Sequence, residues 1–279
     1  MITYKSRFLR RAEVWFDNEP TESAGGVDWI LYHQRSSPVP AARSRSFYTL
    51  LLDLSQTEEQ LWAQLNEDTA YKIRRARDRD NIICQSCEPQ DVTVMNQFEQ
   101  MHKAFAVMKR LPSLNRARLH SLAAAGLLHL SVAKDAQGNV LLYHANYRDT
   151  RRATQLELPS LYRSLSQSAA RNFIGRASRY LTWNDILRYK EQGLKFFDFG
   201  GWHLGNDPEM LNINDFKRGF GGKVVREYQC EQILTFKGRV VLCAAKLLAQ
   251  AKSVRSNQNE PAIVPEAELA PVEASVAIK

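Results

Sequence analysis

The sequence predicts an α+β domain with a mixed, mostly antiparallel central sheet, flanking helices and a disordered C-terminal tail. Three observations predict it. Apolar runs of strand length alternate with stretches of helical spacing. Three strand-like runs follow one another directly between residues 127 and 158, whereas a doubly wound fold needs a helix between successive strands. Beyond Ser253 the chain turns to Ala, Val, Pro and Glu without any period.

The elements justify themselves in order. Glu13 to Phe16 and Val27 to Tyr32 read as strands parted by Pro20 and Gly25-Gly26, and Ser36 to Ser46 reads as a loop. Residues 1–45 are therefore expected as strands and a loop packed on a main domain of residues 46–251, with 252–279 as the tail. Ser46 to Leu54 is an expected buried strand. Ser55, with Glu58 and Glu59 close behind, signals a helix running to about Arg77, in which Leu61, Trp62, Leu65, Thr69 and Ile73 recur at helical spacing. Asn81 to Cys87 reads as a strand. Asp91 then caps a helix to about Lys109, and another runs from Ser113 to Gly126. Strands are expected over Leu127–Lys134, Val140–Tyr147 and Arg152–Leu158, the first two joined by a hairpin turn at residues 135–139. A helix is placed between about Ala177 and Gln192. The strand Lys195–Phe199, a Gly-rich polar stretch, a short segment Asn214–Phe220, the strand Lys223–Phe236 and the helix Arg239–Gln250 complete the order.

Composition narrows the function. The 279 residues are 44% hydrophobic and 24% charged, as in an ordinary globular protein. Lys and Arg exceed Asp and Glu by eight, and the tail holds three basic and four acidic residues, so the excess belongs to the part expected to fold. Such a surface favours an anionic partner: a phosphate-bearing small molecule, nucleic acid or an anionic membrane surface. No apolar run approaches the ~18–20 residues of a membrane span, and Met1–Arg11 lacks a signal peptide's apolar centre. A cytoplasmic location is expected, extending to the periphery of the inner membrane. Cys84 and Cys87 form a lone C-x-x-C without a second pair, and no metal site is expected. Asp78 and Asp80, a D-x-D at the end of an arginine-rich helix, are expected to pair with Arg75 and Arg79. The phosphate loop, the dinucleotide fingerprint, H-E-x-x-H and G-x-S-x-G are all missing.

Two segments carry the chemistry. Residues 171–190 place Gly175 among Arg171, Arg176 and Arg179 where a helix is expected to begin; free N–H groups and guanidiniums suit a pyrophosphate. In residues 195–228, Phe197 and Phe199 bury one face of a strand while Asp198 points the other way. Gly200-Gly201 permits a turn or close backbone approach to a ligand.

The run Gly175 to Asp185 (G-R-A-x-x-Y-L-x-W-x-D), followed by Y-K-x-x-G at Tyr189, F-D-F-G-G at Phe197 and F-K-x-x-F-G-G at Phe216, resembles the C-terminal part of FemAB-like transferases, members of the GNAT N-acyltransferase superfamily. The likeness is strongest over residues 170–230. Ser178 stands where asparagine is frequent and Thr182 where histidine is frequent. The usual acyl-CoA signature is only approximated by Asn172, Gly175 and Ala177.

The resemblance implies a GNAT-like sheet and an N-acyltransferase that moves an acyl group from an acyl-CoA thioester to an amine of a sugar, nucleotide-sugar or peptide precursor of cell-envelope or polysaccharide type. It places Arg171, Gly175, Arg176 and Ala177 at the donor's phosphates, and Trp183, Asp185, Gly200, Gly201 and Trp202 around the substrate. Lys217 would hold developing negative charge or an acceptor phosphate, and Asp198 or His203 would take the amine proton. The alternatives are an aminoacyl-tRNA-dependent transferase, with the basic stretch Tyr71–Arg79 on the tRNA, or a non-catalytic anion-binding protein on the same scaffold.

Overall fold

A computed structural model describes residues 1–20, 25–161 and 167–244. In chain order the strands are β1 (Ile2–Ser6), β2 (Leu9–Trp15), β3 (Trp29–Arg35), β4 (Arg43–Asp53), β5 (Ile83–Cys87), β6 (Leu128–Lys134), β7 (Val140–Arg148), β8 (Arg152–Glu157), β9 (Phe196–Gly201) and β10 (Lys223–Ile233). The helices are α1 (Glu58–Ala63), α2 (Glu67–Asp78), α3 (Val92–Lys109), α4 (Arg116–Ala124), α5 (Ser168–Glu191) and α6 (Pro208–Arg218). All ten strands join one sheet in the order β1-β2-β3-β10-β4-β9-β8-β7-β6-β5. The pairs β2–β3 and β8–β9 are parallel and the rest antiparallel, the α+β arrangement with a mixed sheet that the sequence predicts.

The alternation of apolar residues assigns the two faces. Along β7, Tyr143, Ala145 and Tyr147 point to one side and pack with Met95 and Phe98 of α3 and Leu119 and Leu122 of α4. On the other side, Leu50 and Leu52 of β4 with Phe197 and Phe199 of β9 pack beneath Leu61 of α1, Ile73 of α2 and Trp183, Ile186 and Tyr189 of α5. Burying an apolar side chain of this size stabilises by about 1.5–3 kcal/mol, so these two layers dominate the packing.

Local signals explain most departures from the expected boundaries. The helix expected over 58–77 is two helices, because Asn66 caps a second start through its side chain to the Thr69 amide. The first start is capped by Thr57 in a reciprocal box with Gln60, not by Ser55. Strand β4 begins at Arg43, inside the expected loop, because it pairs with β10 from Arg43 to Leu51. Strand β1 pairs with β2 despite its polar residues. Helix α6 fills the stretch read as polar and irregular. Its start signal is present in the sequence: Asp207 caps the amides of Glu209 and Met210, and Pro208 occupies the first turn.

The largest correction concerns α5, which begins at Ser168 and not near Ala177. Its N-cap, Gln167, makes no side-chain cap bond, so the sequence carries no start signal there. Residues 236–244 belong to a second unit, Phe236–Lys279, and are helical. The expected tail and the end of the helix expected over 239–250 lie outside the described residues. No helix among the described residues is long and apolar enough to cross a membrane.

Candidate functional site

The sheet opens between β8 and β9. These parallel neighbours pair only as Arg152–Phe196, Ala153–Phe197 and Thr154–Asp198. Beyond that point β8 stays with β7, through Glu157 opposite Ala145, while β9 stays with β4, through Gly201 opposite Thr49. The β8–β9 ladder therefore ends at Thr154–Asp198, with the two backbones still close at Gln155 and Gly200, and the opening lies beyond. A bulge accompanies the split on each side. On β8, Gln155 and Glu157 oppose successive residues of β7, so Leu156 is the extra residue that drops out of the ladder. On β9, Gly200 has φ +71, and a Cβ there would lie 3.3 Å from the Gln155 carbonyl oxygen. Glycine is required by both the conformation and the approach.

Lys217 is anchored at the β9 wall of this opening. It lies in the last turn of α6, where the helix dipole favours a cation. Its Nζ donates to the carbonyl oxygen of Gly201 at 2.5 Å and of Gly200 at 3.3 Å. An ammonium has three N–H donors, so one remains beyond these two bonds. The side chain is only 8% exposed. Burial pushes its pKa down to about 8, while nearby Asp198 resists the fall.

Asp198 is fully buried and committed to structure. One carboxylate oxygen accepts from the Gly200 amide at 2.8 Å and from the Thr49 hydroxyl; the other accepts from Gln34 and from the Arg152 guanidinium, each at 2.5 Å. Arg152 also reaches Glu227 at 2.6 Å. Burial opposes the Arg152 charge, yet the two carboxylates hold its pKa above the ordinary value. Burial raises the Glu227 carboxyl although Arg152 and Gln34 pull it down. This cluster closes the narrow end of the split, and the Asp198 carboxylate expected to accept the amine's proton has every oxygen engaged.

The remaining expected residues divide into three groups. His203 joins the turn after β9 to α6: its amide donates to the Asn214 side chain at 3.2 Å, and Asn214 donates back to its carbonyl at 2.7 Å. Its ring Nε2 is buried without a partner among the described residues. Trp202 donates its amide to Tyr48 at 2.6 Å and lies under the Arg218 guanidinium at 5.2 Å. Trp183 is buried edge-on against Trp62. Asp185 is buried under the sheet's other strands, accepting from Ser131 at 3.0 Å and bonded to His144 Nδ1 at 2.8 Å.

Arg171, Gly175, Arg176 and Ala177 lie within α5, not at its start. The backbone amides around Ile174 are consumed by the helix's own bonds, and the free first-turn amides belong to residues 168–170. Ala177 is fully buried, and Arg176 is paired with Asp80. Asp80 thus takes its cation from α5, with Arg75 more distant at 3.9 Å, while Asp78 pairs with Arg77. Arg179 connects the two chemistry-bearing segments: it donates to the Gly175 carbonyl at 3.2 Å and lies over Phe216 at 4.8 Å, one residue from Lys217. No cluster of metal ligands occurs among the described residues, and the four cysteines are free.

Sequence reasoning missed Arg152, Gln155 and Leu156 as parts of the split. Arg152 sits in no motif, and a bulge has no residue signature here; only the pairing registers reveal it. Gln155 is buried with both side-chain amide atoms unpaired among the described residues.

No family model matches the chain, and no curated protein matches it. Solved structures do. FemX superposes with a TM-score of 0.57 at 11% identity over 76% of this chain and 73% of its own. A C-terminal domain assigned to a lysylphosphatidylglycerol synthetase of Agrobacterium fabrum gives 0.54 at 14% identity over 88% and 85%. L-PGS from Bacillus licheniformis gives 0.51 at 13% identity over 86% and 83%. With the β8–β9 split and the helix between those strands, the chain shares its fold with these three structures.

Proposed function

We propose that the protein is an N-acyltransferase that takes an acyl group from an acyl-CoA thioester to the amine of a sugar, nucleotide-sugar or peptide precursor. The observation that carries this reading is the opening between β8 and β9 with the Lys217 ammonium fixed at its wall. A split sheet admits an extended thioester arm between two backbones, and the free donors at its edges meet a carbonyl oxygen. Leu156, the bulged residue of β8, lies at that edge, and Lys217 brings its third N–H.

In the reaction the amine nitrogen attacks the thioester carbon, and charge gathers on the carbonyl oxygen. Lys217 stabilises that oxyanion, a contribution of roughly 3–4 kcal/mol for a well-placed donor. The C–S bond then breaks, the thiolate takes a proton, and the amine loses one. Holding donor and acceptor together in the split supplies much of the remaining acceleration. Because Asp198 is fully engaged, Lys217, with a pKa near 8, is the group at the wall suited to giving a proton to the leaving thiolate and, then neutral, taking the one the amine loses.

The charge pairing of α2 ranks acyl-CoA above aminoacyl-tRNA. Lys72 pairs with Asp68 and Arg77 with Asp78, and Arg74 lies over Trp62, so much of the basic stretch serves its own helix. The test is a thermal-shift screen with acetyl-CoA, octanoyl-CoA and total tRNA, followed by thiol-release assays with a panel of amines. A ligand bound at a hundred times its Kd stabilises by about 2.7 kcal/mol. Stabilisation by CoA thioesters and amine-dependent thiol release are expected; stabilisation by tRNA alone would replace this donor with the other.

A further inference from the structure

One surface of the molecule is not used by the chemistry above. Between α3 and α4 lies a groove of about 700 Å³ whose wall includes Ala106, Val107, Leu111 and Leu114. Ligand-sized cavities span roughly 300–1,000 Å³. Its rim projects apolar side chains into solvent: Val107 is 73% exposed, and Met108 and Leu111 stand beside it. The ion pair Lys109–Glu209, at 2.6 Å, brings the start of α6 alongside, adding exposed Met210 and Leu211. Contiguous exposed apolar groups of this kind mark a docking face.

Charge selects the occupant. Arg116 is held by Glu99 at 2.7 Å, and Lys109 by Glu209. Lys103 and Arg110, both on the groove, have no carboxylate partner among the described residues. Unpaired cations interleaved with protruding apolar side chains match an anionic lipid interface, where each cation near the surface contributes about 1 kcal/mol and the apolar groups enter the headgroup layer. The groove also leads inward. A second cavity of about 290 Å³ shares Leu111 and Leu114 with it and reaches Leu156 and Glu157, the end of β8 at the split.

We propose that this end of the molecule docks on an anionic phospholipid surface, with one hydrocarbon chain in the α3–α4 groove and the headgroup side toward the β8–β9 opening. The placing of the headgroup at the opening rests on the acyl-transfer reading; the docking itself does not.

The test is co-sedimentation of the full chain with vesicles of pure phosphatidylcholine and of phosphatidylcholine with 30% phosphatidylglycerol, with circular dichroism on every variant. Binding to the phosphatidylglycerol vesicles that weakens with salt is expected. Lys103→Glu with Arg110→Glu should weaken it by at least about tenfold, and Val107→Asp with Leu111→Asp by a similar factor. All four side chains are surface-exposed or half-exposed, so the CoA-induced thermal shift should be unchanged in these variants; that readout separates failure of docking from failure of the transferase reading. Equal binding to both vesicle types, no binding to either, or variants that bind as wild type would overturn the proposal. So would binding of total tRNA that these variants abolish without any vesicle partition.

Discussion

Replacing Lys217 by methionine separates what this side chain does for the reaction from what it does to the fold. In the folded protein its pKa falls from the ordinary 10.5 to about 8, chiefly through burial. Each unit corresponds to 1.36 kcal/mol, so keeping the charge costs the folded state about 3 kcal/mol at neutral pH. Its sign follows from proton binding. Between pH 8 and 10.5 the unfolded chain holds the proton that the folded one has released, so stability climbs with pH across that window; below pH 8 the whole cost is present.

Methionine removes the charge at similar length. The Gly200 carbonyl keeps only a share of the Thr49 hydroxyl, which also donates to Asp198, and the Gly201 carbonyl loses its side-chain donor. An unpaired buried acceptor costs about 1–3 kcal/mol. At pH 7 the variant should therefore be as stable as wild type or up to about 2 kcal/mol more stable, and near pH 10 it should become the less stable of the two. Urea unfolding at both pH values measures this crossover. Amine-dependent thiol release should meanwhile fall by about 10²–10³. A stability difference that does not move with pH would refute the buried-ammonium argument, and full turnover would remove Lys217 from the reaction.

The glycines give a contrasting pair. Gly222 has φ +89, and a Cβ would stand 2.8 Å from the Leu51 carbonyl oxygen, so Gly222→Ala should lower stability by about 2 kcal/mol or more in urea unfolding. Gly175 is helical with only the Arg179 side chain near, at 3.9 Å, so Gly175→Ala should raise stability by about 0.5–1 kcal/mol; loss of the CoA thermal shift in that otherwise stable variant would restore a ligand-contact role to this glycine. Asp198→Asn leaves Arg152 facing one carboxylate in place of two and should cost about 3–5 kcal/mol. If unfolding free energy instead stays within 1 kcal/mol or so of wild type, the cluster is not the clamp that closes the split.

The segment carrying the candidate site stands out in sequence because its residues are chemically distinctive. Phe197 and Phe199 flank Asp198 with the strand period, and Lys217 lies between Phe216 and Phe220. The roles were less legible than the residues. Asp198 looks like a free base in sequence, and only the arrival of Gln34, Thr49 and Arg152 from three other strands engages it. Gly175 and its arginines look like a helix start because glycine and cations often mark a boundary. The actual start at Ser168 has no capping side chain to announce it.

By itself the sequence determined the local alternatives: where apolar period two makes a strand, where period 3.6 makes a helix, and which residues bring unusual chemistry to one stretch of chain. Tertiary structure alone decided the order of the ten strands, the short parallel contact at Thr154 and Asp198 and hence the opening beyond it, and the burial that lowers Lys217. The physical reason is range. Periodicity and capping act over a few residues, whereas strand register and desolvation arise from groups tens to hundreds of residues apart, whose meeting no local pattern encodes.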